Sequence, residues 1–312
     1  MPLDPQIAAI LALFAQAGSG SIAGGTPEQA RRMFTTMTVE LRDPSTLAAV
    51  RSVQNTTIPG PGGDIPIRIY TPDLEGPVPT MAFFHGGGFV IGDIETHDDH
   101  ARLICRDVGI VVVSVDYRLA PEHKFPAGFE DCLAATRWVG ENIAALGGDP
   151  SQIVVGGDSA GGNLSAAVAL ATRETGPKLA AQFLIYPGVD FTEDGDYPSR
   201  IENAEGYFLT AEDMLWFREH YLAGDLDSND PRASVIRADL AGAPPAIIGT
   251  AEFDPLRDEG EAYAKALADA GVEVRLQRYD GMIHGYFGLG VHSAGAAAAA
   301  ADMNNSLREL LG

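Results

Sequence analysis

The chain of 312 residues carries 21 Lys+Arg against 43 Asp+Glu, a net charge of −22, and 46% of its residues are hydrophobic. That length and apolar content suit one large α/β domain with an appended subdomain and exclude a disordered chain. So acidic a surface repels phosphate backbones and anionic lipid, which argues against nucleic-acid partners and peripheral membrane binding, and no apolar run approaches the ~20 residues needed to cross a bilayer.

Residues 1–50 are helical in tone and precede the first expected strand. The apolar run 7–14 has Asp4 before it and no arginine until Arg31, so an amphipathic helix is expected rather than a secretory signal, and the chain reads as cytoplasmic. Strands are expected at 65–70, 80–84, 110–116, 153–156, 182–186, 246–249 and 273–279. Helices are expected at 129–145, 160–172 and 258–270. Nearly continuous apolar runs such as VVVSV and IVVG fit strands covered on both faces, so the alternation implies a mostly parallel sheet between helices. The stretch 191–235 breaks this rhythm with loop signals and an aromatic-rich helix (Met214, Leu215, Trp216, Phe217, Tyr221), read as a cap that lines a substrate pocket. The domain reading is therefore N-terminal cap helices at 1–50, a catalytic domain at 51–190 and 236–312, and a cap insertion at 191–235. Alanine is the best helix former, and six alanines at 296–301 mark a terminal helix. Cys105 and Cys132 lie in apolar contexts and read as buried free thiols.

One G-x-S-x-G occurs, Gly157-Asp158-Ser159-Ala160-Gly161, between an expected buried strand and an expected helix. That context is the one a nucleophile elbow requires. The pentapeptide also resembles the GDSGG of chymotrypsin-like proteases, but those folds are all-β with the histidine and aspartate ahead of the serine. Upstream, His85-Gly86-Gly87-Gly88-Phe89 closes another strand. Three glycines in a row lose much entropy on ordering, a cost justified where backbone amides must approach a substrate oxygen. A serine nucleophile needs a base and an orienting carboxylate. Of the later histidines, His220 lies in the aromatic helix and His292 beside the alanine run; His284 follows the strand at 273–279 and is the candidate base. Asp254, in the loop after the strand at 246–249, is the candidate acid, with Glu252 second and Asp258 assigned to the next helix's first turn. The run Thr96-His97-Asp98-Asp99-His100 reads as a helix start rather than a metal site.

These segments together resemble a known family. HGGGF at 85–89, DYRLAPEHKFPA at 116–127, GDSAGGNL at 157–164, EFDPLRDEG at 252–260 and HGY at 284–286 resemble, in order, the hormone-sensitive-lipase group of α/β-hydrolases, the bacterial family IV carboxylesterases. The motifs run from about residue 80 to 290, and the helical N-terminus matches the family's cap. The resemblance implies an α/β-hydrolase fold, with Ser159 as nucleophile, His284 as base and Asp254 as orienting acid. It implies oxyanion donors at Gly87, Gly88 and Ala160, and a structural role for His85. It places the chain in the GDSAG branch, with Lys124 where a proline is common. It also implies an enzyme without a cofactor, and frequent homodimers; no metal is expected, in line with the reading of residues 96–100. Position and resemblance together name Phe89, Phe208, Leu209, Met214, Phe217, Ile283 and Phe287 as pocket walls. The expected function is hydrolysis of carboxylic esters with short-to-medium acyl chains. Two alternatives stand beside it: an amidase or arylacetamide deacetylase, and a small-molecule receptor of the same fold, against which His284 speaks.

Overall fold

The computed structural model describes residues 2–16, 24–192 and 194–312, and among these eight strands form one sheet. They are β1 (Ser52–Gly60), β2 (Gly63–Thr71), β3 (Val78–Phe84), β4 (Val111–Val115), β5 (Gly148–Asp158), β6 (Leu179–Ile185), β7 (Ala246–Phe253) and β8 (Val274–Ile283). Their order is β1-β2-β4-β3-β5-β6-β7-β8. β2 pairs antiparallel with both β1 and β4, and every later neighbour pair is parallel. Side chains alternate across the sheet and build two cores. Met81 and Phe83 of β3 enter one core with Ile104, Phe183 and Met303, whereas Ala82 and Phe84 enter the other with Val139, Leu164 and Leu267. Burying each such phenylalanine contributes about 1.5–3 kcal/mol.

The helices are α1 (Pro5–Gln16), α2 (Pro27–Thr35), α3 (Asp98–Ile104), α4 (Ala127–Asn142), α5 (Ala160–Thr175), α6 (Ser199–Glu202), α7 (Ala211–Tyr221), α8 (Asp225–Ser228), α9 (Arg257–Asp269) and α10 (Ala294–Leu311). α2 opens with a capping box, in which Thr26 accepts from the Gln29 amide and Gln29 from the Thr26 amide. The alanine run of α10 buries Ala296, Ala299 and Ala300 beside Met303 and Leu307, so its small residues are core. α6, α7 and α8 lie between β6 and β7, within the 191–235 segment that broke the strand–helix rhythm. No helix among the described residues is long and apolar enough to cross a membrane. Cys105 and Cys132 are buried and free.

Two departures from the expected strands have a common cause. β1 was not expected, and β5 begins at Gly148 rather than at 153. In SVQNTTIPG only Ile58 is buried, and the first residues of β5 (GDPSQ) are polar. β1 is held along its length by pairing with β2, whereas in the opening stretch of β5 only Gly148 is paired, to Val78, and neither stretch has a hydrophobic period to read. The strand order reverses between β3 and β5, where Phe84 lies beside Gly157. In open α/β sheets ligands bind in the crevice at the C-terminal ends of such strands.

Candidate active site

Ser159 follows β5 directly and stands at the N-cap of α5 with φ 53° and ψ −116°. A non-glycine residue held there costs on the order of 1–3 kcal/mol and persists only where its surroundings over-determine it. Here the Ser159 amide donates to the Ile185 carbonyl at 2.8 Å, and its own carbonyl accepts from Asn163 at 3.1 Å. A serine at an N-cap ordinarily turns its hydroxyl to the helix's free amides. Ser159 makes no such bond; its Oγ lies 2.9 Å from Nε2 of His284. The turn needs glycine at 161, because a Cβ there would collide with the Phe84 carbonyl of β3.

Nδ1 of His284 lies 2.8 Å from Oδ2 of Asp254. Asp254 is fully buried, and its Oδ1 accepts from the Leu256 amide at 2.8 Å. The structure thus brings Ser159, His284 and Asp254 into one hydrogen-bonded chain. Glu252, the second candidate acid, instead accepts from the Gly281 amide at 2.7 Å. Asp258 lies in the first turn of α9, as expected. His220 bonds through Nδ1 to the Trp216 carbonyl within α7, and His292 adjoins the start of α10.

The 85–89 loop comes from the neighbouring strand, β3. Gly87 (φ 112°) and Gly88 (φ 58°) both adopt left-handed backbone, and Phe89 follows at φ 64°. Among the described residues, the amides of Gly87, Gly88 and Ala160 donate no intramolecular hydrogen bond. Gly87 and Gly88 follow β3, and Ala160 opens the helix that follows the neighbouring β5. Tyr117 donates to the His85 carbonyl at 2.7 Å, and the His85 ring stacks on Tyr117 at 4.3 Å between centroids. Burial, with His97 beside it, pushes His85 down to about 4, so it is a neutral structural ring.

The expected pocket walls divide into two groups. Phe217 packs against Gly88, Phe89 stacks on Tyr221 of the same helix at 3.8 Å, and Leu209 and Met214 pack on that core. Phe208 (φ 74°) lies against Gly285, next to His284, and 6.2 Å from Phe14 of α1. Ile283 and Phe287 are a correction: at 1% and 2% exposure they belong to the core with Phe183 and Met303, and they offer no surface to a ligand. Their nearness in sequence to His284 says nothing of the face they occupy. A separate polar cavity of about 440 Å³, lined by Arg31, Asp93, Asp116 and Tyr117 among others, includes none of Ser159, His284 or Asp254.

Local sequence reading passed over several supporting residues. Asn203, from α6's end, donates to the Asp254 carbonyl at 3.1 Å, and the Tyr186 ring flanks His284 at 4.7 Å. Long separations along the chain hide both. His97, His100 and Asp158 bring their ligand-type atoms within 4.8 Å of one another. Nδ1 of His97 contacts the Thr96 hydroxyl at 2.9 Å, Nδ1 of His100 contacts Asp99 at 2.7 Å, and Nε2 of His97 lies 3.5 Å from Oδ2 of Asp158. The helix start expected at this run is α3.

Sheet order, elbow and the loop beside it define an α/β-hydrolase. The α/β-hydrolase-fold family model matches residues 81–288. The chain is 46% identical over 264 residues to the carboxylic ester hydrolase LipN of Mycobacterium tuberculosis, covering 82% of this chain and 70% of LipN. It is 38% identical to an ethyl acetate hydrolase of Pseudomonas putida, over 73% of each chain. The solved hyperthermophilic esterase of the archaeon Pyrobaculum calidifontis superposes with a TM-score of 0.95 at 41% identity, over 99% of both chains. The chain belongs to the α/β-hydrolase family, in its hormone-sensitive-lipase-type carboxylesterase branch.

Proposed function

We propose that the protein hydrolyses carboxylic esters with short-to-medium acyl chains through an acyl-enzyme on Ser159. The observation that carries this is the Ser159–His284–Asp254 chain, at 2.9 and 2.8 Å. His284 takes the Ser159 proton as Oγ attacks the ester carbonyl, while Asp254 holds the imidazole in the required tautomer. The amides of Gly87, Gly88 and Ala160 receive the tetrahedral oxyanion. The protonated His284 then gives its proton to the departing alcohol oxygen. A water deprotonated by the same ring attacks the acyl-enzyme, and the acid leaves as Ser159 recovers its proton.

The described residues of 1–50 and 191–235 act as a cap over this centre, with Phe217 and Phe208 bounding the space for the acyl chain or the alcohol; 1, 17–23 and 193 lie outside the described residues. The resemblance to an ethyl acetate hydrolase supports small acyl groups. The reading includes a cytoplasmic location and homodimer formation, with no role for nucleic acid on so acidic a surface. Ser159→Ala tests the proposal. It is expected to abolish hydrolysis of p-nitrophenyl acetate and butyrate with the fold intact, and near-normal turnover in that variant would overturn the reading. Paired ester and anilide substrates separate this activity from amide hydrolysis.

A further inference from the structure

One buried carboxylate links the two halves of the site without belonging to the triad. Asp158 ends β5, and its Oδ1 accepts from the backbone amide of Gly86 at 2.9 Å. Its Oδ2 lies 3.5 Å from Nε2 of His97. That ring contacts the Thr96 hydroxyl at 2.9 Å through Nδ1, and Thr96 and Asp93 exchange bonds of 2.8 Å through their amides. A side chain at Gly86 would run into Oδ2 of Asp158. The first glycine of the triplet thus makes room for this carboxylate and is not itself a proposed oxyanion donor. Burial raises the pKa of Asp158, but the imidazoles of His97, His100 and His85 together hold it well below the usual carboxylate range. It is therefore ionised and a strong acceptor for the Gly86 amide.

The geometry points to Asp158 as a positioning residue for the oxyanion hole, an inference that rests on the roles proposed above for Ser159, Gly87, Gly88 and Ala160. Asp158 directly precedes Ser159, and Gly86 directly precedes Gly87. One hydrogen bond therefore sets the gap between the amides that arrive from β3 and the amide that arrives at the head of α5. The glycine loop has little stiffness of its own, since Gly87 and Gly88 carry no side chain to wedge it. Oxyanion donors act only within about 2.7–3.1 Å of the developing charge, so slack in this gap weakens the transition state more than the bound ester.

The test compares Asp158→Ala with Asp158→Asn, which keeps the oxygen that accepts from Gly86. Asp158→Ala is expected to lose about 10–100-fold in kcat, somewhat less than deletion of a donor, while KM for p-nitrophenyl butyrate moves less than about threefold. Affinity for an alkylboronic acid, which forms a tetrahedral adduct on serine, is expected to fall in parallel. Asp158→Asn is expected to stay within about fivefold of the parent, because its acceptor is retained. Unchanged kcat and boronate affinity in Asp158→Ala overturns the inference, and so does a folded Asp158→Asn that loses more than about 100-fold. Should Asp158→Ala fail to fold, the Asp158→Asn result decides alone. A cycle with Gly86→Ala adds an independent readout. The double variant is expected to lose less than the product of the two single losses, and strict additivity overturns the link. Labelling of Ser159 by a fluorophosphonate in the parent protein tests the underlying reading separately: without labelling that reading fails, and with labelling the outcomes above judge Asp158 alone.

Discussion

The ring of Phe217, on α7, occupies the space that a side chain at Gly88 would need. A helix inserted between β6 and β7 thus reaches the loop that follows β3. If this contact bounds the acyl site, Phe217→Ala opens it toward longer chains. The ratio of kcat/KM for p-nitrophenyl octanoate over butyrate is expected to rise by about tenfold, the equivalent of two newly accommodated methylenes at partial burial. A chain-length series measures this, and an unchanged ratio argues that the acyl chain lies elsewhere.

The same helix is fastened at its far end. The ammonium of Lys124 donates to the carbonyls of Glu219 at 2.8 Å and Leu222 at 2.7 Å, where the helix leaves acceptors unpaired. Lys124→Met is expected to lower stability by about 1 kcal/mol, a shift of about 1.5 °C in Tm for a chain of this length, and to raise KM before kcat. Calorimetry and steady-state kinetics on the same preparation check both parts.

The two candidate acids make different predictions. Asp254→Asn removes the partner that fixes the His284 tautomer, and a loss of about 10⁴ in kcat is expected. Glu252→Gln keeps an oxygen for the Gly281 amide and leaves the His284–Asp254 bond intact, so kcat within about threefold of the parent is expected. A reversal of these two results would move the acid role to Glu252.

His85 gives a pH signature in stability rather than in rate. Burial holds its folded pKa near 4, against 6.5 for the free side chain. The unfolded chain therefore takes up a proton before the folded one does. The contribution is complete above pH 6.5 and is lost as pH falls from 6.5 through 4, at about 3 kcal/mol in all. Tm should drop across that window, and His85→Gln should flatten the drop. A profile unaltered by that substitution would assign the acid sensitivity to other groups.

Much of the centre was legible because each triad residue sits in a short stretch with a strong local signal. Ser159 lies between an apolar strand and a small-residue helix, and Asp254 and His284 each follow a strand that ends at the same edge. The supports were not legible. Asp158 and His97 are far apart in the chain, and nothing near either residue names the other. Lys124 read as a small departure from a common proline, yet its partners lie at the C-terminal end of α7. Ile283 and Phe287 failed as pocket walls for a related reason, since adjacency to His284 carries no information about which side of the sheet a residue faces. β1 was silent because only one of its side chains is buried.

The parallel pairing of β3 with β5, in which Phe84 faces Gly157, also constrains how the gene can change length. A parallel strand advances about 3.3 Å per residue and turns successive side chains to opposite faces. Losing one codon inside either strand would slide one motif a full residue past the other and invert everything beyond it. Serine and glycine loop would still be encoded, but out of phase. Indels should therefore accumulate in the connections, while these two strands keep a fixed reading frame against each other.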